Sequence, residues 1–134
     1  MTTTEDIIDT LSFFDSWEDR YKYMIDLGKE LPQISDELRT DDRLVPGCQS
    51  QVWIEAQFIN GKFEFIVDSD AHIVRGLLAI VMAAYNQKSP QEILNFDISD
   101  YFNQLDLVKH LSPTRGNGLQ AMVEKIKHLA SEKN

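Results

Sequence analysis

The chain has 134 residues, 43% of them hydrophobic, which suits one domain (1–134) with its own core and would leave two domains short of apolar mass. Thirteen Lys and Arg against 22 Asp and Glu give a net charge of −9 and a pI near 4.7, which argues against nucleic-acid binding and against anionic membrane surfaces. One cysteine excludes an internal disulfide, fits a reducing compartment, and leaves the chain short of thiolates for a structural zinc or an iron–sulfur cluster.

The opening "MTTTEDIIDT" is polar and acidic, without the basic start and apolar stretch of a secretory signal. The longest apolar run, Gly76 to Tyr85, is about half the length that spans a bilayer. A soluble, cytoplasmic protein is expected. Residues 5–14 have the pattern of a short amphipathic helix. Ser16 then reads as an N-cap with Asp19 in capping-box position, and Tyr21, Met24, Ile25 and Gly28 mark one face of the helix that follows. It should end near Leu31-Pro32, because proline disfavours helix in the residue before it.

"LVPGCQSQVW", residues 44–53, holds the only cysteine on a turn signalled by Pro46-Gly47. The segment before it has room for a third strand, which Pro46 and Gly47 would end early. Next, "QVWIEAQFI" and "KFEFIVD" flank Asn60-Gly61, the preferred pair for a two-residue hairpin turn. That turn sets Phe58 opposite Phe63, Ala56 opposite Phe65 and Ile54 opposite Val67 on one face with Val52, and pairs Gln57 with Glu64 on the other.

"HIVRGLLAIVMAAYNQK" is apolar on nearly every side, as a buried central helix is. Ser89-Pro90-Gln91-Glu92 carries a cap, a first-turn proline and a closing glutamate. Ser99 is the expected cap of a further helix through "DYFNQLDLVKHL". "SPTRGNG" reads as a break, and Leu119, Met122, Val123, Ile126 and Ala130 mark a last helix. Helices, an antiparallel hairpin and more helices make the fold class α+β.

Free cysteines are most often inert packing residues. Against that, Cys48 sits among small and polar neighbours on a loop entering a strand, where functional residues concentrate. Arg39 and Arg43 would lower its pKa, while Asp41 and Asp42 would oppose them. A cysteine hydrolase would need an adjacent histidine base, for which His72 is the best placed. The residues alone leave these alternatives open.

The stretches "PGCQSQVWI", "DSDAHIVRGLLAIV", "PQEILNFDI" and "HLSPTRGNGLQAM" resemble, in that order, the SufE family of sulfur acceptor proteins, from about Trp17 to the last helix. The resemblance implies an α+β domain like iron–sulfur scaffolds of the IscU type, with one cysteine where those scaffolds bring three. It implies that Cys48 accepts sulfur from a PLP-dependent cysteine desulfurase (SufS- or CsdA-like), that the protein stimulates that enzyme, and that the sulfur passes to an iron–sulfur scaffold or another recipient. Gly47, Gln49, Ser50, Gln51 and Trp53 match the surrounding motif, and Asp70 and Arg115 match positions expected near the partner interface. No resident cofactor or metal is implied. The chemistry suits one thiol, since a thiolate takes over the outer sulfur of a persulfide unaided, whereas a second cysteine would close a disulfide on it. A docking module that stimulates a desulfurase with Cys48 incidental is the competing expectation. A resting state that shields the thiol is also expected, in a pocket of Leu44, Val45, Val52 and Ile54.

Overall fold

In the computed structural model, residues 2–47 and 50–133 are described; Cys48 and Gln49 lie outside the described residues. Thr3 starts α1 (Thr4–Phe13) with a complete capping box closed by Asp6, and Ile7 and Leu11 carry its buried face. Ser16 caps α2 (Trp17–Gly28) by accepting from the Asp19 N–H at 3.2 Å. The helix winds down before Pro32 through tighter turns, with the N–H groups of Lys29, Glu30 and Leu31 donating to the carbonyls of Asp26, Leu27 and Gly28. The following segment crosses the hairpin with two short 3-10 turns, Asp36–Leu38 and Asp41–Arg43.

The hairpin has the register its turn dictates. β1 (Val52–Ile59) and β2 (Lys62–Ser69) pair antiparallel with Phe58 opposite Phe63, Ala56 opposite Phe65, Ile54 opposite Val67 and Gln57 opposite Glu64. Asn60 and Gly61 have φ of 53° and 79°, the left-handed pair that a type I′ turn needs. The expected third strand is a single bridge, Leu44 opposite Trp53, where the Val45 N–H donates to Val52 O at 2.9 Å. Pro46 has no N–H with which to continue it, and Gly47 turns away at φ 89°. At the other edge Phe63 exchanges hydrogen bonds with the Gln87–Lys88 segment, at 2.8 and 2.9 Å.

The inner face of the hairpin (Val52, Ile54, Phe63, Phe65, Val67) is buried against α3 (His72–Tyr85), whose residues from Gly76 onward are almost all buried. On its other side α3 meets α2 so closely that a Cβ on Gly28 would stand 2.7 Å from Gly76 N. Two glycines let these backbones touch. Ser89 caps α4 (Pro90–Asn95) with the expected box to Glu92.

Around α5 the chain departs from two expectations. Asp97, not Ser99, caps α5 (Ile98–Gln104), accepting from the Asp100 N–H at 3.0 Å; the earlier start brings Ile98 onto the helix and into the core. The helix does not run on through "LVKH". Leu105 and Leu107 are both buried, and two residues apart on a straight helix they would point to opposite sides. The chain breaks instead at Asp106, with φ 59°, before α6 (Leu107–His110).

"SPTRGNG" is not a break either. It forms the first turns of α7 (Pro113–Lys133). Ser112 accepts from the Arg115 N–H through its hydroxyl at 3.3 Å and from the Gly116 N–H through its carbonyl at 2.9 Å, and Pro113 takes the first helical position. The start signal is the one seen at Ser89-Pro90, outweighing two glycines and an asparagine. One connected core takes side chains from every α-helix and both strands. Among the described residues no helix is long and apolar enough to cross a membrane.

Candidate functional site

The segment that carries Cys48 is closed at both stems. On the incoming side Val45 is tied to Val52 by the bridge bond. On the outgoing side the Gln51 N–H donates to Asp70 Oδ1 at 3.1 Å, and the Asp70 N–H returns a bond to Gln51 O at 3.3 Å. Ser69 Oγ also approaches Asp70 Oδ1, at 3.5 Å, and accepts from the Ala71 N–H at 3.3 Å, so the end of β2 is itself knotted. Asp70, a residue expected near the partner interface, holds the base of the loop through its carboxylate.

Beneath the stems lies a buried carboxylate. Asp68 is fully buried on the outer face of the hairpin, opposite Trp53. Its Oδ2 accepts from Arg39 Nη2 at 2.8 Å and from the Ile34 N–H at 3.4 Å; its Oδ1 accepts from Arg75 and from the Ser69 N–H. Arg75 reaches on to the carbonyls of Leu31, at 3.0 Å, and Gly28, at 3.3 Å. A buried carboxylate is costly unless it is paired and fully hydrogen-bonded, and this one is both. The sequence reading missed it. Its signal was an Asp on the strand face opposite Val67, with burial supplied by residues 34–43 lying across that face.

Arg39 and Arg43, weighed as activators of the thiol, are engaged elsewhere. Arg39 adds to Asp68 a stack over the Trp53 ring, 5.1 Å from its centroid. Arg43 pairs with Glu55 and donates to Thr40 Oγ1 at 2.8 Å; the Glu55 bond is the main cause that holds its guanidinium pKa up. Asp42 sits below the usual carboxylate range, chiefly through the Thr40 hydroxyl.

A cavity of about 280 Å³ opens beside the loop, between the start of β1, α3 and the first turns of α7. Val52, Val74, Leu77, Leu78, Leu119 and Met122 make its apolar wall, and Ser50, Ser112, Thr114 and Arg115 its polar rim. It brings Ser50 and Arg115 together, 65 positions apart in the chain. Gly47 also faces α7, since a Cβ there would stand 3.3 Å from the Ala121 Cβ. Of the four residues expected to line an apolar pocket, Val52 is the one among the described residues that lines this cavity. Val45 and Ile54 are core residues, Leu44 bridges to Trp53, and the missing walls come from α3 and α7. Reading "SPTRGNG" as a break hid one of those walls.

The histidines are scattered. His72 is exposed at the first residue of α3, His110 stacks on Trp17 at 3.9 Å, and His128 pairs with Glu132 on α7. Among the described residues no three of His, Cys, Asp or Glu gather in a metal-binding arrangement.

Comparison with known proteins agrees with this geometry. A family described as "SufE: Fe-S metabolism associated domain" matches residues 5–130. The chain is 45% identical over 131 residues to an uncharacterized SufE-like protein of Rhizobium meliloti (strain 1021), covering 95% of this chain and 94% of that one. It is 46% identical over 134 residues to an uncharacterized SufE-like protein of Rhizobium etli, covering 97% and 90%. The solution structure of a hypothetical protein from Thermus thermophilus has the same fold, with a TM-score of 0.77 at 15% identity over 96% of this chain and 93% of that one. A family match over nearly the whole length and two relatives at 45% and 46% identity show that the chain belongs to the SufE family, associated with iron–sulfur metabolism.

Proposed function

We propose that the protein is a sulfur carrier that accepts persulfide sulfur on Cys48 from a PLP-dependent cysteine desulfurase, stimulates that enzyme, and hands the sulfur on towards iron–sulfur cluster assembly. The observation that carries this reading is that a SufE-family chain has one cysteine, and that this cysteine falls between stems tied at Val45–Val52 and Gln51–Asp70. The transfer balances without a cofactor on this chain. The Cys48 thiolate attacks the outer sulfur of the desulfurase persulfide; a new S–S bond forms, the old one breaks, and the desulfurase cysteine leaves as a thiolate. Cys48 then carries the persulfide, and a recipient thiolate repeats the exchange.

Gly47, Gln49, Ser50, Gln51, Asp70 and Arg115 belong in this reading to the face that meets the desulfurase. Gly47 has the positive φ that a turn at the loop entrance uses, Asp70 holds Gln51, and Ser50 and Arg115 share the cavity rim. A cytoplasmic setting fits a thiol that must stay reduced between loads.

Intact-mass measurement after mixing with a desulfurase and free cysteine tests this. Wild type should gain sulfur that a reductant removes, and Cys48→Ser should gain none and lose stimulation. Equal gain in both proteins, or no gain in wild type, sinks the carrier reading. Full stimulation by Cys48→Ser would make the protein a docking activator instead.

A further inference from the structure

We infer that Arg39 is a positioning residue for the loop that carries Cys48, holding its incoming segment, β1 and the end of β2 in one fixed arrangement. This inference rests on the carrier reading. Residues 29–44 contain only two short 3-10 turns, so regular secondary structure does little to fix how the chain arrives at Val45. Burial of Ile34 and Val45 and a few ties help to fix it, among them Arg43 to Glu55 and Arg39 to Asp68. The Arg39 guanidinium lies over the ring of Trp53, the β1 residue whose bridge to Leu44 closes the loop. Through Nη2 it also grips Asp68, two residues before the Asp70 that holds Gln51. One planar group on the incoming segment therefore touches both β1 and the end of β2. A thiol that must reach a persulfide on another protein gains from stems that do not drift, because a small misplacement of reacting atoms costs rate steeply.

The arrangement also separates positioning from folding. Asp68 keeps Arg75 and two backbone N–H donors when Arg39 is removed, so its carboxylate stays paired. Arg39 is one-third exposed and Arg75 is 15% exposed, so the more buried cation remains in place. Arg39→Met keeps apolar bulk over Trp53 and should fold. Arg39→Lys returns a charge to Asp68 and should restore part of the effect, though without the planar stack.

The test compares wild type, Arg39→Met, Arg39→Lys and a remote core variant, Ile93→Val. Amide exchange at Val45 and Gln51 reports each stem, and exchange at Ile80 reports the core. Single-turnover sulfur uptake from saturating persulfidated desulfurase reports function. Losing one such tie shifts a local opening equilibrium by about fivefold. Arg39→Met should therefore lose about fivefold protection at Val45 and Gln51 with Ile80 unchanged. It should also load sulfur more slowly, with Arg39→Lys in between. Ile93→Val should weaken Ile80 without slowing uptake. Wild-type exchange at both stems in Arg39→Met overturns the inference, and so does faster exchange with undiminished uptake, which would leave Arg39 a purely structural residue. A wild-type protein that takes up no sulfur is told apart by its own arm of the experiment; it defeats the carrier reading and this inference with it.

Discussion

Gln51 and Asp70 hold each other twice, the Gln51 N–H on the Asp70 carboxylate and the Asp70 N–H on the Gln51 carbonyl. The second bond is backbone to backbone and survives any side-chain change. Asp70→Ala should therefore leave the global fold nearly intact and release the loop base locally, at a cost of roughly 1 kcal/mol. Amide exchange at Gln51 should quicken in Asp70→Ala, and Asp70→Asn, which keeps an acceptor oxygen, should restore much of the protection. Unchanged exchange at Gln51 in the alanine variant would show that the carboxylate is not what holds the loop.

A second relationship is purely steric. A Cβ on Gly76 would meet the carbonyl of Met24, a backbone group that a rotamer change cannot move. α2 and α3 would have to separate, and both bury core residues at this crossing. Gly76→Ala, normally a favourable helix change, should here destabilise by about 3 kcal/mol. Gly116→Ala provides the contrast, because it lies in the first turns of α7 with open space around its Cβ and should be neutral or stabilising. Denaturant midpoints of the two variants check the difference, and a Gly76→Ala midpoint equal to wild type contradicts the touching-backbone geometry.

The elements legible in the sequence were those with a local cause. Asn60-Gly61 and the apolar pattern of the inner face specified the register of the hairpin, and Ser89-Pro90-Gln91-Glu92 specified the start of α4. What misled was local chemistry with two readings. Gly116, Asn117 and Gly118 look like a loop, yet Ser112-Pro113 start a helix through them. The candidate site was legible as a motif around Cys48 but not as a place. Asp68 is buried because residues 34–43 cross the outer face of the hairpin, and no periodicity announces a segment with so little regular structure. The cavity joins Ser50 to Arg115, which only tertiary packing brings together.

Two tyrosines should respond oppositely to loss of their hydroxyls. Tyr101 donates to the Ile80 carbonyl at 3.0 Å, whereas the buried Tyr85 hydroxyl has no hydrogen-bond partner among the described residues. Tyr101→Phe should cost about 1 kcal/mol, while Tyr85→Phe should be neutral or stabilising. Burial, with a smaller push from Glu124, raises the Tyr85 pKa to about 12 from an ordinary 10.0, and burial raises that of Tyr101 as well. Above pH 10 the unfolded chain gives up protons that the fold retains, so these two residues favour the fold fully below pH 10 and lose that effect as pH rises towards 12. Phenolate absorbance during an alkaline titration should show two tyrosines ionising only as the protein unfolds. All four tyrosines titrating together before any loss of structure would contradict their burial.

A sulfur carrier must protect its thiol between transfers. In the carrier reading, a persulfide open to small thiols would be reduced, and an exposed thiolate would oxidise. The wall made by Val52, Val74, Leu77, Leu78, Leu119 and Met122 lies beside Ser50, two residues from Cys48. Arg39 and Arg43 are both held by carboxylates, and Arg115 stands on the rim of the same cavity. A Cys48 side chain resting against that wall would be desolvated, its pKa raised and its chemistry slowed. Reaching a desulfurase persulfide would then require the loop to leave the wall while its tied stems stay in place, with docking energy favouring the extended state. Alkylation by a small reagent should therefore be slow in the free protein and faster when a desulfurase lacking its own reactive cysteine is added. The unfolded protein sets the upper limit. A free-protein rate equal to that limit, or one that the desulfurase leaves unchanged, would mean that Cys48 is exposed at rest and that its protection must come from the speed of transfer.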